Sequence, residues 1–415
     1  MQRYCLLLFV YFMSIVAAPA NRSNISIWVA SIFLVLGTLG AYQFVGLNQA
    51  LLFLIGGALG MTLYHASFGF TSSWRVFIKQ GRGRGLRAQM IMLAVAVLLF
   101  FPALGAGELF GNPVKGNVNP VSMSVMIGAF IFGIGMQLGG GCASGTLYTV
   151  GGGSSRMLVT LVFFCVGSLI ATSHLEWWFA LPSLGPMSMV TSLGVMPALL
   201  LNFVLFALIA LATVWVEKKR HGSLEIEPQS QHQGFKRFLQ GPWPLIWGGL
   251  ILTVLNFATL ALAGRPWGVT SALAVWGAKA AMLVGVDVSV WDYWQQPSNA
   301  KALANSLWFD ITSMMNFGIM LGALLAASLA GKFAPNFNIP ARSLIAAIVG
   351  GILLGYGARL AYGCNIGAYF SGIASGSLHG WLWLIFAFIG NGVGVKLRPI
   401  FFLDEKPQPE KLTGC

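Results

Sequence analysis

The chain has 415 residues, of which 57% are hydrophobic and only 8% charged, with a mean hydropathy of +0.77. A soluble globular protein carries about 25% charged residues, so this composition excludes an ordinary soluble domain and describes a polytopic membrane protein. The formal net charge of +13 does not indicate a nucleic-acid partner, because the basic residues sit between apolar runs, as cytoplasmic loops obeying the positive-inside bias do.

Residues 1–23 begin with a short basic start, an apolar stretch and small residues. They read as a signal-like or extra N-terminal segment and stay outside the fold argument. Ten apolar runs follow, at roughly 25–46, 47–66, 88–108, 121–138, 156–174, 195–216, 243–264, 306–330, 343–362 and 379–398. Each is close to the ~20 residues a bilayer requires. Arg75, Lys79, Arg82, Arg84 and Arg87 place the first basic loop in the cytoplasm, as do Lys218, Lys219, Arg220, Lys236 and Arg237 for the second. Lys332, Arg342, Lys396 and Arg398 fit the same alternating path. Both chain ends then lie inside, and the basic-poor loops 106–120 and 174–194 lie outside. The organisation expected is a first transmembrane repeat over 24–216, a polar cytoplasmic linker over 217–242, a second repeat over 243–400 and a cytoplasmic tail over 401–415. The fold class is all-α, with about five spanning helices per repeat and short broken or re-entrant helices at the centre.

The five cysteines (Cys5, Cys142, Cys165, Cys364 and Cys415) show neither CxxC nor Cys/His metal spacing. No disulfide framework, metal or other cofactor is expected. Cys5, Cys165 and Cys415 read as incidental. Cys142 and Cys364 do not, because each belongs to a copy of one motif. Gly133–Gly145 aligns without gaps on Gly355–Gly367 at a constant offset of 222. The copies share Gly133/Gly355, Gly135/Gly357, Leu138/Leu360, Gly141/Gly363, Cys142/Cys364 and Gly145/Gly367. A second pair, Phe68-Gly69-Phe70-Thr71-Ser72 and Trp267-Gly268-Val269-Thr270-Ser271, repeats at an offset of 199. The second half therefore carries 23 extra residues, expected within 281–305. The helix before Gly69 runs inward and the helix before Gly268 outward, so the repeats are expected to be inverted. Matched glycine breaks in two inverted halves point to a transporter site near the midplane. Glycines of this kind also serve plain helix–helix contact.

A thiol is a soft, polarisable contact, suited to an anion with a terminal sulfur or selenium. Each cysteine precedes a short helix-like segment whose unpaired N–H groups favour an anion. The expected binding set is Cys142, Cys364, the preceding Gly141 and Gly363, and the hydrogen-bonding Ser144, Thr146 and Asn365. Arg359, in an apolar helix, is a functional candidate by position. It either attracts the anion, pairs with Asp310, or snorkels to the interface; its counterpart Gln137 is neutral. His65 and His379 read as structural. Lys279 and Asp287 are expected to pair with each other.

The motifs GIGMQLGGGCASGT and GYGARLAYGCNIGAYF, with SLHGWLW and RPWGVTSALAVWGAK, resemble the YeeE/YedE family of bacterial inner-membrane proteins over roughly residues 25–400. That resemblance implies uptake of a small sulfur-containing anion, chiefly thiosulfate, passed along stacked cysteines that match Cys142 and Cys364. It also implies a third cysteine, at the position of Gly69 here; this chain lacks that thiol, so thiosulfate specificity and a three-step relay are open. Three readings follow. The first is a permease for a sulfur or selenium species in the lipid bilayer. The second is a membrane sulfurtransferase that passes persulfide sulfur to a cytosolic carrier. The third is a non-transporting subunit that anchors a cytosolic sulfur-carrier protein on its basic loops.

Overall fold

The computed structural model describes residues 22–226, 234–401 and 403. The signal-like start, the middle of the linker and nearly all of the tail lie outside the described residues, as do Cys5 and Cys415. Among the described residues, ten helical spans are long and apolar enough to cross a membrane, one for each apolar run of the sequence. The helices of nine residues or more among the described residues are α1 (Arg22–Phe44), α2 (Leu47–Ala66), α3 (Phe70–Gln80), α4 (Arg84–Ala106), α5 (Met123–Gly139), α6 (Ala143–Gly151) and α7 (Ser155–Thr172), then α8 (Val195–His221), α9 (Leu245–Ala263), α10 (Thr270–Leu283), α11 (Ile311–Leu329), α12 (Ala341–Leu360) and α13 (Leu378–Leu397). A seven-residue π-helical turn, Asn365–Ser371, lies between α12 and α13. The only strands among the described residues are a short hairpin at Glu108–Leu109 and Asn112–Pro113 and a pairing of Pro120–Ser122 with Ser183–Pro186.

Side-chain caps start several helices. Ser122 accepts from the N–H of Val125 at 3.3 Å to open α5, and Ser154 from that of Met157 at 3.4 Å to open α7. Asp310 opens α11 in the same way, accepting the Ser313 N–H at 2.9 Å. Gly140, at φ +96°, ends α5. A side chain there meets the left-handed penalty that glycine escapes.

The packing interleaves the chain's two halves. α12 lies between α5 and α7, α5 also packs on α13, α11 packs on α2, and α9 on α2 and α4. α1 and α8 flank the bundle against α11 and α4; their exposed faces carry large apolar side chains such as Trp28, Leu36, Leu200 and Leu208, as lipid-facing helices do. Small residues set the interhelical distance where hydrocarbon supplies no hydrophobic drive. A Cβ on Gly128 would come within 2.9 Å of the Gly357 carbonyl oxygen, and one on Gly135 within 3.1 Å of that of Gly350. α5 and α12 are therefore antiparallel. The motif offset of 222 carries Gly128 onto Gly350 and Gly135 onto Gly357, so it exchanges one contact with the other.

One end of the bundle is tied by charge. Glu217, at the end of α8 with a fully buried side chain, pairs with Arg87 at 2.7 Å and Arg82 at 3.3 Å. It also accepts the backbone N–H groups of Gly83 and Glu225. The two basic loops thus share one face of the molecule.

Candidate functional site

Both motif cysteines are buried, Cys142 at 3% and Cys364 at 0% exposure, in one continuous cluster with Met136, Ala143, Ile366 and Tyr369. Each caps the segment that follows it. Cys142 is the N-cap of α6: its Sγ accepts the Gly145 N–H at 3.4 Å and lies 3.4 Å from Ser144 Oγ. Cys364 is the N-cap of the π-helical turn, whose Ala368 and Tyr369 N–H groups both reach the Cys364 carbonyl, at 2.8 and 3.3 Å. Its own thiol makes no capping bond. α6 and the π-helical turn touch, so the two breaks meet inside the bundle.

The breaks are shaped by glycine. Gly363 sits at φ +154°, and a Cβ there would come within 2.8 Å of the Ala368 nitrogen. On Gly141 a Cβ would press Met157 Cε and the Gly145 carbonyl carbon, both at 3.2 Å. Gly145 and Gly367 behave differently. Both are buried, yet a Cβ on Gly145 would meet only Cys142 Sγ, at 3.5 Å, and one on Gly367 nothing within 4 Å. These two positions are equivalent in the motif, and each faces unfilled interior space. Two residues before Gly367, Asn365 is fully buried with neither amide nitrogen nor amide oxygen hydrogen-bonded. Leaving such a group unmatched costs about 1–3 kcal/mol, so this side chain is a ready partner for a polar ligand. Of the other two hydrogen-bonding candidates, Ser144 lies at the cysteine sulfur, whereas Thr146 donates its proton to the Cys142 carbonyl at 2.9 Å.

The short motif of the first half closes on this region. Gly69 is the N-cap of α3 at φ −101°, a conformation open to any residue. Its carbonyl accepts from Ser72 Oγ and Ser73 Oγ at 3.1 and 2.7 Å. Phe70 meets Tyr369 edge-on at 6.0 Å between ring centroids, so the first short motif packs directly on the turn after Cys364.

Arg359 does not pair with Asp310. Its guanidinium donates to Thr270 Oγ1 at 2.8 Å and Tyr293 Oη at 3.3 Å, and its Nε is buried without a partner. Asp310 is instead committed to capping α11 through Ser313. The neutral counterpart Gln137 makes the matching contact, donating to the Thr71 carbonyl at 3.1 Å. Each therefore ties its motif helix to the short helix of its own half. Lys279 and Asp287 do not pair either. Lys279 donates to the carbonyls of Leu303 and Asn305 at 2.6 and 2.8 Å, capping the end of a short helix. Asp287 is fully exposed and takes two hydrogen bonds from Ser289, which hold its carboxyl below the usual range. His65 lies tilted against Trp243 with ring centroids 5.2 Å apart, and His379 bonds Ser377 Oγ at 2.6 Å; both sit in packed surroundings. Half-buried Cys165 takes no part in the site.

Sequence reasoning missed one group. Asn117, in the loop before α5, donates to the Gly367 carbonyl at 2.6 Å, and Asn119 reaches Asn117 Oδ1 and His379. That loop folds down onto the π-helical turn. The only signal for it was the unusual density of amides in GNVNP, which reads equally well as a solvated loop.

Comparison with known proteins gives a consistent picture. A family model described as sulphur transport matches residues 65–393. The chain is 28% identical, over 81% of its length and 95% of the relative's, to the thiosulfate transporter TsuA of Spirochaeta thermophila. It is 25% identical to the TsuA of Escherichia coli, over 81% of this chain and 90% of that one. A probable transporter of Escherichia coli, YedE, is 34% identical over 40% of each chain.

Proposed function

We propose that this chain, which belongs to the sulphur transport family, is a permease that carries a small sulfur-containing anion, thiosulfate or a related sulfur or selenium species, through a central path lined by Cys142 and Cys364. The chain is a multi-pass membrane protein, and its named relatives are transporters rather than enzymes. We place it in the bacterial inner membrane with its basic loops in the cytoplasm.

One observation carries the reading. Two buried cysteines at equivalent motif positions each cap a short segment beside unfilled interior space, at Gly145 and Gly367, with the unpartnered Asn365 amide next to the second. In this reading the halves are inverted, and the anion's terminal sulfur contacts the thiols in turn. Its oxygens take hydrogen bonds from the Asn365 amide, from Ser144 and from backbone N–H groups at the start of α6. Gly141 and Gly363 bring the backbone close to the path. Arg359 contributes positive potential from the side while holding Thr270. No group binds so tightly that release is prevented, as conduction requires. Gly69 supplies no thiol to the path, which shortens the cysteine relay to two members.

The sulfurtransferase reading is weaker. Such chemistry needs an activated thiolate and a route for its proton, and among the described residues the hydrogen-bond partners of the Cys142 thiol are only Ser144 and the Gly145 N–H. A cytosolic sulfur carrier docking on the basic face is compatible with the permease and is not required by it. Proteoliposomes holding the intact chain decide the matter. The permease takes up thiosulfate labelled at both sulfurs with the two labels in step, and its cysteines stay free of persulfide. Persulfide accumulating on Cys142 or Cys364 without entry of the sulfite moiety would overturn it.

A further inference from the structure

A cavity of about 370 Å³ opens at the basic end of the bundle, between the start of α7 and the segment leading into α12. Ser154, Ser155, Arg156, Asn336, Asn338 and Ser343 supply its polar lining. At about 30 Å³ per water molecule, it has room for an oxyanion with much of its hydration shell. Three features mark it as a built site. It lies at the N-terminus of the 18-residue helix α7, where unpaired N–H groups and the helix dipole favour an anion. Ser155 is 4% exposed and its hydroxyl has no hydrogen-bond partner. Arg156 is pinned by bonds to Ser343 Oγ at 2.8 Å and to the carbonyls of Gly139 and Leu138 at 2.9 and 2.6 Å, and among the described residues no carboxylate neutralises it. No Asp or Glu occurs anywhere in 109–175 or 311–403.

Arg156 also joins the cavity to the cysteine path. A Cβ on Gly140, two residues before Cys142, would lie 2.5 Å from Arg156 Nη1. The equivalent place in the second half is filled. The motif offset carries Ser155 onto Ser377 and Arg156 onto Leu378. Ser377 Oγ is bonded to His379 at 2.6 Å and accepts the Asn119 N–H at 3.4 Å. The same kind of site is therefore occupied by protein at one end of the path and open at the other.

We propose that this cavity is a second binding site for a small tetrahedral oxyanion, the station from which the transported anion leaves Cys142 for the cytoplasm. The proposal rests on the permease reading for its role, but the site itself can be tested apart from it. The probe is labelled thiosulfate, measured by equilibrium binding to the full chain in nanodiscs, with Cys142→Ala and Cys364→Ala removing the central thiols. That double variant retains a weak thiosulfate site, and sulfate competes for it, because the cavity offers hydrogen bonds and charge but no thiol. Adding Ser155→Val weakens binding roughly tenfold, as loss of one hydrogen bond to a charged group does. Adding Asn338→Asp, at an exposed position, weakens it further by bringing in a like charge. No binding by the double variant, or binding untouched by both cavity substitutions in monodisperse protein, overturns the site. Uptake that ignores the cysteines while cavity binding persists would overturn the central path instead.

Discussion

A glycine in a helix is needed either because another backbone lies against it or because something must pass it. The two kinds are separable here. A Cβ on Gly350 would run into the backbone of Gly139 and the Leu138 carbonyl carbon, so Gly350→Ala is expected to destabilise the fold by about 1–3 kcal/mol through overpacking. Gly367→Ala places a methyl where no atom lies within 4 Å, and Gly145→Ala places one in ordinary contact with Cys142 Sγ at 3.5 Å, both in the space we propose the anion follows. Both are expected to reach the membrane with unchanged thermal stability and to lose most thiosulfate uptake. A thermal-unfolding and uptake measurement on the three variants checks this; equal uptake in Gly367→Ala and the parent would remove the void from the path. At this scale the sequence revealed the cysteines and glycines, because the motif repeats. It did not reveal the partners of Arg359, Lys279 or Asp310, because nothing in sequence tells which distant carbonyl or hydroxyl a long side chain will reach.

At the scale of elements, hydropathy was enough to find all ten spans of the described residues, since a bilayer demands ~20 apolar residues and sets few other conditions. What hydropathy could not show was how basic loops are held. Glu217 looked like one more charge in the polar linker, yet its side chain is fully buried between Arg82 and Arg87. Removing the carboxylate leaves the part-exposed Arg82 and Arg87 without their shared partner and the Gly83 and Glu225 N–H groups without an acceptor, at a cost of about 1–3 kcal/mol. Glu217→Ala is therefore expected to lower the unfolding temperature in detergent clearly, and Glu217→Gln less, because it keeps a carbonyl acceptor for the Gly83 or Glu225 N–H. An unfolding temperature unchanged in Glu217→Ala would show that the pair does not hold α8 to the bundle. The 281–305 segment, expected to hold the extra residues of the second half, contains two short helices, Asp292–Gln295 and Pro297–Ala304. They dock through Trp294 on Thr172 at 3.2 Å and through Tyr293 on Arg359, contacts between distant segments that no local pattern announces.

For the whole molecule, the offset that pairs the motifs also exchanges the Gly128–Gly357 and Gly135–Gly350 contacts, which is what two inverted copies packed about a common axis would produce. The orientation proposed for that assembly has a direct consequence. Leu224 and Leu184 are both exposed, at 38% and 76%, on the linker side and in the 174–194 loop. In a background lacking the native cysteines, Leu184→Cys is expected to react with a membrane-impermeant maleimide on intact cells, and Leu224→Cys only after the membrane is opened; the reverse pattern would invert the topology. The central proposal is that an anion passes between Cys142 and Cys364. The most direct test is the initial rate of labelled thiosulfate uptake in cells without other sulfur-oxyanion importers, comparing the intact chain with Cys142→Ala and Cys364→Ala at matched membrane levels. Uptake by the intact chain that falls at least tenfold in each variant is the result predicted. Undiminished uptake in both would contradict the path.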